Sequence, residues 1–483
     1  MASTPEKPGT VGAGRLSPDT LMKILIVIVM VAGFSLACVK YSRFNGDTND
    51  VAVYSYAFAH TLDGYFFPLY YVPGQLLGNH VTFVILAWLP VYAMWHSFYS
   101  LMFFQSLMLT VAAWPFYLLA KDVLKNNRAA LALGLAFLLF PTIVSQHVNQ
   151  IHDDQFALPF LMGAFLYFWR GKFWPFVVLM VLACLAKETV TITTAAFGVY
   201  ALCLRRDWKW VATPLVFSVG YFFLAMKLLT SVFVGAGGSL YTGADYLSAY
   251  GHSPGEVLHT FLTRPGFVFE QMFAPPKLEY LGKLLLPLLY VGPFLSAAVV
   301  VSLPNLLLNL IGSNSAFLVI PWHYNILVAG TLLVALVFGI QRIAGWCGQK
   351  REAVVLGASV ASLALSVMGF RYWYDAKNWE SPPEQAQLAR ALREVPRTAS
   401  IIAPTPMLAS FSDRLKINSA YSIFTGKFKD PTRLSDYQYV LLDGQWRSYE
   451  ALGQVPLWET VRTSKVYRVV FNENNVLLLE RTP

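Results

Sequence analysis

The fold is decided at residues 21–39, "LMKILIVIVMVAGFSLACV", and at residues 44–67, "FNGDTNDVAVYSYAFAHTLDGYFF". The first stretch is long enough to cross a bilayer, which takes about 20 apolar residues. It lacks a small-residue cleavage site and so resembles an uncleaved signal anchor. The second stretch places Asp47 and Asp50 directly beyond this span, ahead of a helix rich in Tyr and Phe. Asp50 either caps the helix that starts at Val51 or takes part in chemistry, and the two roles are compatible.

The composition of the whole chain indicates a membrane protein that crosses the bilayer many times. Of its 483 residues, 56% are hydrophobic and 13% are charged, against about 25% charged in soluble domains. The net charge of +9 comes without a long basic block, so nucleic acid is not an expected partner. The four cysteines show no CxxC spacing, which argues against a disulfide framework and a zinc site.

About eleven crossings are predicted from the apolar runs. After the first span, these runs lie at 99–120, 129–147, 155–169, 174–187, 189–204, 210–230, 284–300, 302–312, 322–341 and 353–370. Residues 80–96 are also apolar, but they carry Pro90 and polar ends. We interpret them as an interfacial or re-entrant helix, because counting them as a span inverts the charge pattern of the loops.

The charge of the loops predicts the orientation. With a cytoplasmic N-terminus, the inner loops carry 14 Lys/Arg and 5 Asp/Glu, whereas the outer side of the membrane domain carries 7 and 10. Cytoplasmic loops favour Lys and Arg. All eight histidines then fall on the outer side or at its membrane boundary. This predicts one polar site on the extracytoplasmic face of a bacterial or archaeal cell membrane, although histidines also favour interfaces for structural reasons.

The sequence divides into three regions. Residues 1–20 are expected to be disordered and cytoplasmic, residues 21–371 to form the transmembrane domain, and residues 372–483 to form a small extracytoplasmic α/β domain. In the last region a helix is predicted over 382–395. Strands are predicted over 398–405, 437–444, 464–471 and 475–482, the last two forming a hairpin. The region has neither a glycine-rich phosphate loop nor a nucleophile motif, so its role is expected to lie outside the chemistry.

Four clusters of polar residues stand on the predicted outer face. They are Asp47 with Asp50, Asn79 with His80, "HVNQIHDDQFALP" at 147–159, and "CLAKETVT" at 184–191. Each has a structural alternative: a helix cap for Asp50 and for His80, a solvated loop for His152 to Asp154, and a self-satisfied pair for Lys187 and Glu188. Ionisable residues at membrane depth are costly, however, and usually mark a site.

The loop 231–283 adds further cations, among them Arg264 and Lys277, in a Pro-punctuated amphipathic segment that suits a membrane surface. Taken together, these groups suit a substrate with a lipid tail and a polar head at the interface. A transporter would instead need ionisable groups near the midplane.

These residues carry a resemblance to a known family. From about residue 40 to 440 the chain resembles the predicted membrane proteins of the domain-of-unknown-function 2079 (DUF2079) family, which belong among the GT-C glycosyltransferase-like proteins. The motifs that carry it are Asp50 with "HTLDG", "NHVTFVILAWLPVYAMW", "IHDDQFALPFL", "CLAKETV", "YGHSPGEVL", "APPKLEYLGKLLLPL" and "PWHYN". Three positions depart from the family pattern: Tyr56 stands where Gln is expected, Ile151–Asp154 replaces Phe-His-Pro-Glu, and Thr189 replaces an acidic residue.

The resemblance implies an all-α polytopic bundle of the GT-C type, with interfacial helices in the first outer loop. It also implies an inverting glycosyltransferase that moves a sugar from a polyprenyl-phosphate donor to a glycan, lipid or protein acceptor, without a nucleotide-binding fold. Asp50 would be the general base. The residues expected to bind substrate are Asp47, His80, His152, Asp154, Lys187, Glu188, Arg264, Lys277 and His323.

Within that set, Lys187 with one or more of Arg264, Lys277 and His323 would stabilise the leaving phosphate. His152 and Asp154 would either bind a divalent cation, Mg or Mn, or position the donor head group; no cofactor is certain. Two other functions are considered: a lipid or polysaccharide transporter, and a non-catalytic scaffold of the same fold that recruits partners through residues 372–483.

Overall fold

The structure is a computed structural model that describes residues 16–46, 48–71, 74–228, 232–233, 246–375, 379–420, 436–443 and 466–482. Asp47 and most of the predicted disordered N-terminus lie outside these residues. The first helix begins at Pro18, and Ser17 caps it by accepting a hydrogen bond from the Thr20 backbone N–H. A proline in the first turn is favourable, because its missing N–H would have no helical partner there.

The described residues form nineteen α-helices. They are α1 Pro18–Ser42, α2 Asn49–Leu62, α3 Leu89–Met94, α4 Phe98–Val111, α5 Ala113–Leu124, α6 Asn127–Leu138, α7 Pro141–Gln146, α8 Asp154–Trp169, α9 Phe173–Cys184, α10 Val190–Cys203, α11 Trp208–Leu228, α12 Pro254–Thr263, α13 Pro265–Met272, α14 Pro275–Leu285, α15 Leu303–Ile311, α16 Ile326–Trp346, α17 Arg351–Ser366, α18 Arg371–Tyr374 and α19 Gln385–Glu394.

Five helical segments within the described residues are long and apolar enough to cross a bilayer: Pro18–Ser42, Phe98–Leu124, Trp208–Leu228, His323–Trp346 and Gly348–Trp373. Shorter apolar helices accompany them, including α6, α9 and α10. The structure thus confirms a polytopic helical bundle, while the count of eleven crossings stays a prediction.

Two predicted spans are not single helices. The run 284–300 contains short 3-10 turns, such as Leu286–Leu288 and Pro293–Leu295, and the run 302–312 forms only the short α15. Proline interrupts helical hydrogen bonding, and Pro287 and Pro293 lie in these turns. Leu289, between them, has a φ of 57°.

Residues 80–96 form a 3-10 segment, Phe83–Trp88, followed by α3. Twelve helical residues reach about 18–24 Å, which is short of the ~30 Å hydrocarbon core. Met94 at the end of α3 is 89% exposed. These features agree with an interfacial segment rather than a span.

Helix α16 is the centre of the bundle. Almost all of its length is buried, and it packs against α5, α8 and α17. Gly339 of α16 lies directly against the Gly292 carbonyl, where any side chain would clash with backbone. By contrast, α1 and α11 bury little of their surface and present apolar side chains outward.

The C-terminal region is a small α/β domain, as predicted. Its five strands are β1 Ile401–Ala403, β2 Ile417–Ser419, β3 Tyr439–Leu442, β4 Tyr467–Glu473 and β5 Val476–Arg481, in the order β2-β1-β3-β5-β4. The predicted hairpin is present: β4 and β5 pair antiparallel across Asn474 and Asn475, which both have positive φ as a tight hairpin turn requires. Strand β2 was missed because three residues are too few to show a periodicity.

Helix α2 is held in part by this C-terminal domain. The Thr48 hydroxyl donates to the Thr405 carbonyl at 2.5 Å and accepts from the Ala409 N–H at 3.2 Å. Further along α2, Ser55 bonds to Ser412 at 2.7 Å. The helix that carries Asp50 therefore takes its position from a chain segment more than three hundred residues away.

Candidate active site

The predicted outer-face residues meet where several helices end. Four segments converge there: the first turn of α2, the loop 147–153 before α8, the turn 185–189 between α9 and α10, and the 3-10 turn His323–Asn325 before α16. Seven of the ten predicted substrate-binding or catalytic residues lie in this region: Asp50, His80, His152, Asp154, Lys187, Glu188 and His323.

Asp50 is not the cap of its helix. Helix α2 begins at Asn49 with Thr48 as the capping residue, so Asp50 lies in the first turn. Its backbone N–H donates to Gln150 Oε1 at 2.5 Å, and its Oδ2 lies 3.6 Å from His152 Nε2. The Asp50 side chain is 38% exposed. The helix N-terminus stabilises its negative charge.

His152 and His323 stack face to face, with ring centroids 3.5 Å apart. Burial, together with the nearby Lys187 cation, lowers the pKa of His152 to about 3. His152 is therefore neutral near pH 7, and it approaches Asp50 as a polar neighbour rather than as a cation.

Lys187 pairs with Asp154, not with its sequence neighbour Glu188. Its Nζ donates to Asp154 Oδ2 at 2.8 Å, and both side chains are about nine-tenths buried. Burial lowers the pKa of Lys187, but the charges of Asp154, Asp153 and Glu188 outweigh it and leave the pKa above its ordinary value. The lysine is therefore a permanent, largely neutralised cation.

Glu188 holds His80. One carboxylate oxygen contacts His80 Nδ1 at 2.8 Å, and the other accepts the Val81 N–H at 3.0 Å. Burial alone would raise the pKa of Glu188, but His80 and Lys187 lower it to about 2. An ionised carboxylate at Nδ1 fixes the orientation of the imidazole. This geometry matches neither structural alternative: His80 is not simply a helix cap, and Lys187 and Glu188 are not paired with each other.

The "IHDD" segment is a buried loop, not a solvated one. Asp153 is 2% exposed and accepts a hydrogen bond from the Tyr54 hydroxyl at 2.5 Å. Burial raises the pKa of Asp153. Because Tyr54 lies one turn after Asp50, this bond ties the Asp50 face of α2 to the start of α8.

Two polar cavities meet at Asp50. The first cavity, of 440 Å³, extends toward Lys40, Gln146 and Trp322. The second cavity, of 280 Å³, extends toward His80 and Lys187. Five residues line both cavities: Asn49, Asp50, His152, His323 and Tyr324. Asp50 therefore faces both spaces at once.

A third cavity, of 360 Å³, lies behind Lys187 and is mostly apolar. Its walls include Ile192, Phe222, Leu308 and Leu327. Lys187 and Tyr324 line both the second and the third cavity. The polar region therefore leads, past one lysine, into a space suited to a hydrocarbon chain.

Comparison with known proteins gives the family. A family model described as "Predicted membrane protein (DUF2079)" matches residues 40–478. This chain belongs to the DUF2079 family. A search of curated proteins found no match.

Solved structures show the fold of this DUF2079 protein. ArnT from Cupriavidus metallidurans bound to undecaprenyl phosphate is similar with a TM-score of 0.53 and 13% identity, over 95% of this chain and 98% of that one. ArnT from the same organism in the apo state gives a TM-score of 0.52 and 13% identity, over 96% and 98%. The expected GT-C fold is confirmed.

Three predicted residues of the DUF2079 protein are not placed at the cavities. Asp47 lies outside the described residues. Arg264 ends α12, and Lys277 of α14 is buried with its Nζ donating to the Leu310 carbonyl. Neither Arg264 nor Lys277 lines any of the three cavities. Their part in phosphate binding stays a prediction without support from the geometry.

The structure also shows the surroundings of the residues that depart from the DUF2079 pattern. Tyr56 donates its hydroxyl to the Leu415 carbonyl at 2.9 Å, so it contacts the C-terminal domain. Asp153, at the proline position, anchors Tyr54. Thr189, at the acidic position, lines the third cavity beside Lys187 and Glu188.

The predicted cation between His152 and Asp154 receives no support from the arrangement of these residues. Asp154 is engaged by Lys187, and the described part of the chain contains no group of three His, Cys, Asp or Glu side chains that could hold a metal ion.

Sequence reasoning missed several lining residues of the site, among them Lys40, Gln150, Trp322 and Tyr324. Lys40 follows an apolar span and resembles an interfacial anchor in the sequence, whereas Gln150, Trp322 and Tyr324 resemble ordinary loop residues. The "PWHYN" motif was the one signal that could have found Trp322 and Tyr324. From the sequence, only its histidine was assigned a role.

Proposed function

We propose that this protein is an inverting glycosyltransferase that moves a sugar from a polyprenyl-phosphate donor to an acceptor hydroxyl on the extracytoplasmic face of the membrane. The observation that carries the proposal is the position of Asp50, whose carboxylate lines two adjoining polar cavities. A base between two substrate spaces is what transfer from a donor to an acceptor requires. The distribution of Lys and Arg supports the orientation.

The donor occupies the second and third cavities. Its polyprenyl chain lies against the apolar side chains of the third cavity, such as Phe222 and Leu308, and its phosphate lies between Lys187 and His80. The similar ArnT structure holds undecaprenyl phosphate, which supports this class of lipid. Lys187, already paired with Asp154, contributes N–H donors more than net charge.

The transfer step needs one base and no covalent intermediate. Asp50 takes the proton of the acceptor hydroxyl while that oxygen bonds to the anomeric carbon from the side opposite the phosphate. The bond from the anomeric carbon to the phosphate oxygen breaks, and the lipid phosphate leaves with the electron pair. Lys187 and His80 stabilise the charge that develops on it. Attack from the opposite side inverts the anomeric configuration.

Substitution of Asp50 tests the proposal. Asp50→Asn keeps the shape and the hydrogen bonds of the first turn but removes the base, so turnover should fall about 10²–10⁴-fold. Binding of undecaprenyl phosphate, measured by thermal stabilisation, should stay within twofold of wild type. The matched control is Asp63→Asn at the other end of α2, where the exposed carboxylate bonds to His60. Equal turnover of the two variants with a polyprenyl-phosphate sugar would remove Asp50 from this role.

A further inference from the structure

The lining of the first cavity indicates the chemistry of the acceptor. Among its described lining residues there is no aliphatic side chain: all are amide, charged, imidazole or aromatic. The third cavity, in contrast, includes seven Ile, Met, Leu and Phe side chains among its fifteen lining residues. An acyl or prenyl chain would gain little from the first cavity, because hydrophobic stabilisation needs apolar area to bury.

Trp322 forms one wall of this cavity, next to a backbone carbonyl that is held by three hydrogen bonds. It is 46% exposed and stacks near Tyr324. The carbonyl of the preceding residue, Pro321, accepts hydrogen bonds from Ser145 Oγ at 2.9 Å and Asn149 Nδ2 at 3.1 Å, and also from Gln146 Nε2. Three side chains therefore fix the backbone beside one exposed indole, which is the arrangement of a preorganised binding surface.

Polar groups face the same space. Asn149 Oδ1 and Gln150 Nε2 have no hydrogen-bond partner among the described residues, although both residues line the cavity. Lys40, 8% exposed, donates one N–H to the Val148 carbonyl at 2.9 Å and has further N–H groups to donate. Acceptors, donors and a flat aromatic face together match the hydroxyls and the apolar ring face of a sugar.

We propose that the first cavity is the acceptor subsite and that the acceptor is a carbohydrate, bound on Trp322 with a hydroxyl directed at Asp50. The volume of 440 Å³ lies in the range of small-ligand pockets, about 300–1,000 Å³. The assignment as an acceptor rests on the proposed glycosyltransferase function. The choice of carbohydrate over a lipid or a peptide rests on the lining residues alone.

The test measures sugar binding directly. Full-length protein in phospholipid nanodiscs, free of sugar-headed detergents, is examined by saturation-transfer NMR with three probes: methyl glycosides of neutral sugars and of a uronic acid, dodecyl phosphate, and a short Ser/Thr peptide. At least one methyl glycoside should receive saturation, and Trp322→Ala should reduce it at least fivefold. Trp322→Phe should retain it. The control Trp346→Ala, at the far end of α16, should leave it within twofold of wild type.

The outcomes separate the two proposals. If no methyl glycoside binds, or if Trp322→Ala binds it as well as Trp346→Ala does, the carbohydrate subsite is wrong, whereas Asp50-dependent transfer to a peptide or lipid would leave the glycosyltransferase function standing. Undecaprenyl phosphate should stabilise Trp322→Ala as much as wild type. If it stabilises neither protein while the glycoside still binds at Trp322, the donor assignment falls and the sugar site remains.

Discussion

At the scale of single residues, the environment of each ionisable group sets its role. Lys187 and Glu188 are adjacent in sequence, yet each is held by a residue from another segment: Lys187 donates to Asp154, and Glu188 contacts His80 Nδ1. A charge buried among apolar helices is costly unless a hydrogen-bond partner or an opposite charge satisfies it. Asp50 differs from them in exposure: its side chain is 38% exposed, and the residue lines both polar cavities.

His152 makes folding stability depend on pH. Its folded-state pKa of about 3 lies below the ordinary value of 6.5, so between these values the unfolded chain binds a proton that the folded protein does not. Stability therefore falls as pH falls from 6.5 toward 3. We expect the melting temperature to drop between pH 6.5 and 5, and to drop less in His152→Gln. This pH window lies above the pH range in which Glu188, whose pKa is about 2, loses its own contribution to folding stability.

The matched control for that measurement is His259→Gln, since His259 is an exposed residue of α12. It should follow the wild-type curve at every pH. A His152→Gln curve that parallels wild type over the same window would show that His152 is not held neutral by the fold.

At the scale of elements, α2 depends on a contact between domains. Thr48 precedes its first turn, and its hydroxyl donates to the Thr405 carbonyl and accepts from the Ala409 N–H rather than from the N–H groups of α2. Thr61, Ser55 and Tyr56 lie further along the helix, and two of them, Ser55 and Tyr56, also bond to the C-terminal domain. The C-terminal domain therefore helps to position the helix that carries Asp50, the proposed general base.

Removal of the Thr48 hydroxyl should lower turnover without weakening donor binding. Thr48→Val keeps the shape but leaves the Ala409 N–H without its acceptor, a loss of about 1–3 kcal/mol. A small displacement of Asp50 reduces the rate by up to about 10²-fold, because reacting groups need close alignment. We expect kcat to fall at least tenfold while KM for the polyprenyl-phosphate sugar stays within twofold.

The control is Thr331→Val in the buried centre of α16, where the hydroxyl bonds only within its own helix, to Leu327 and Val328. It should change kcat less than twofold. If Thr48→Val and Thr331→Val have the same kcat, the domain contact does not position Asp50.

At the scale of the whole molecule, three cavities lie in series at one end of the bundle. The polar first and second cavities share Asp50, and the second opens past Lys187 into the apolar third. This order of polar and apolar cavities matches the polar head and apolar tail expected of a lipid-linked sugar, with its acceptor on the polar side. The basic loops, such as Arg205 to Lys209, lie at the opposite ends of their helices.

Cysteine labelling should show these two ends on opposite sides of the membrane. In a background without the four native cysteines, Trp322→Cys should react with a membrane-impermeant maleimide added to intact cells. Trp208→Cys, also exposed, should react only after permeabilisation. The reverse pattern would place the cavities in the cytoplasm and overturn the extracytoplasmic part of the proposed function.

The sequence by itself determined the class of the molecule. Long apolar runs, bounded by basic loops, indicate a helical membrane bundle, because hydrocarbon-length segments and loop charge are local properties. The hairpin at Asn474 and Asn475 was likewise predictable from its turn residues. The clustering of Asp50, His152 and Lys187 was inferred from the orientation and is present in the structure.

Only the tertiary structure decided which side chains pair and which face a cavity. Lys187 bonds to Asp154, thirty-three residues away, and the Pro321 carbonyl beside Trp322 accepts hydrogen bonds from Ser145, Gln146 and Asn149. Arg264 and Lys277 carry the right charge but stand on helices that do not reach the cavities. Pairing and access depend on how helices pack across long separations in the chain, and composition and spacing carry no record of that packing.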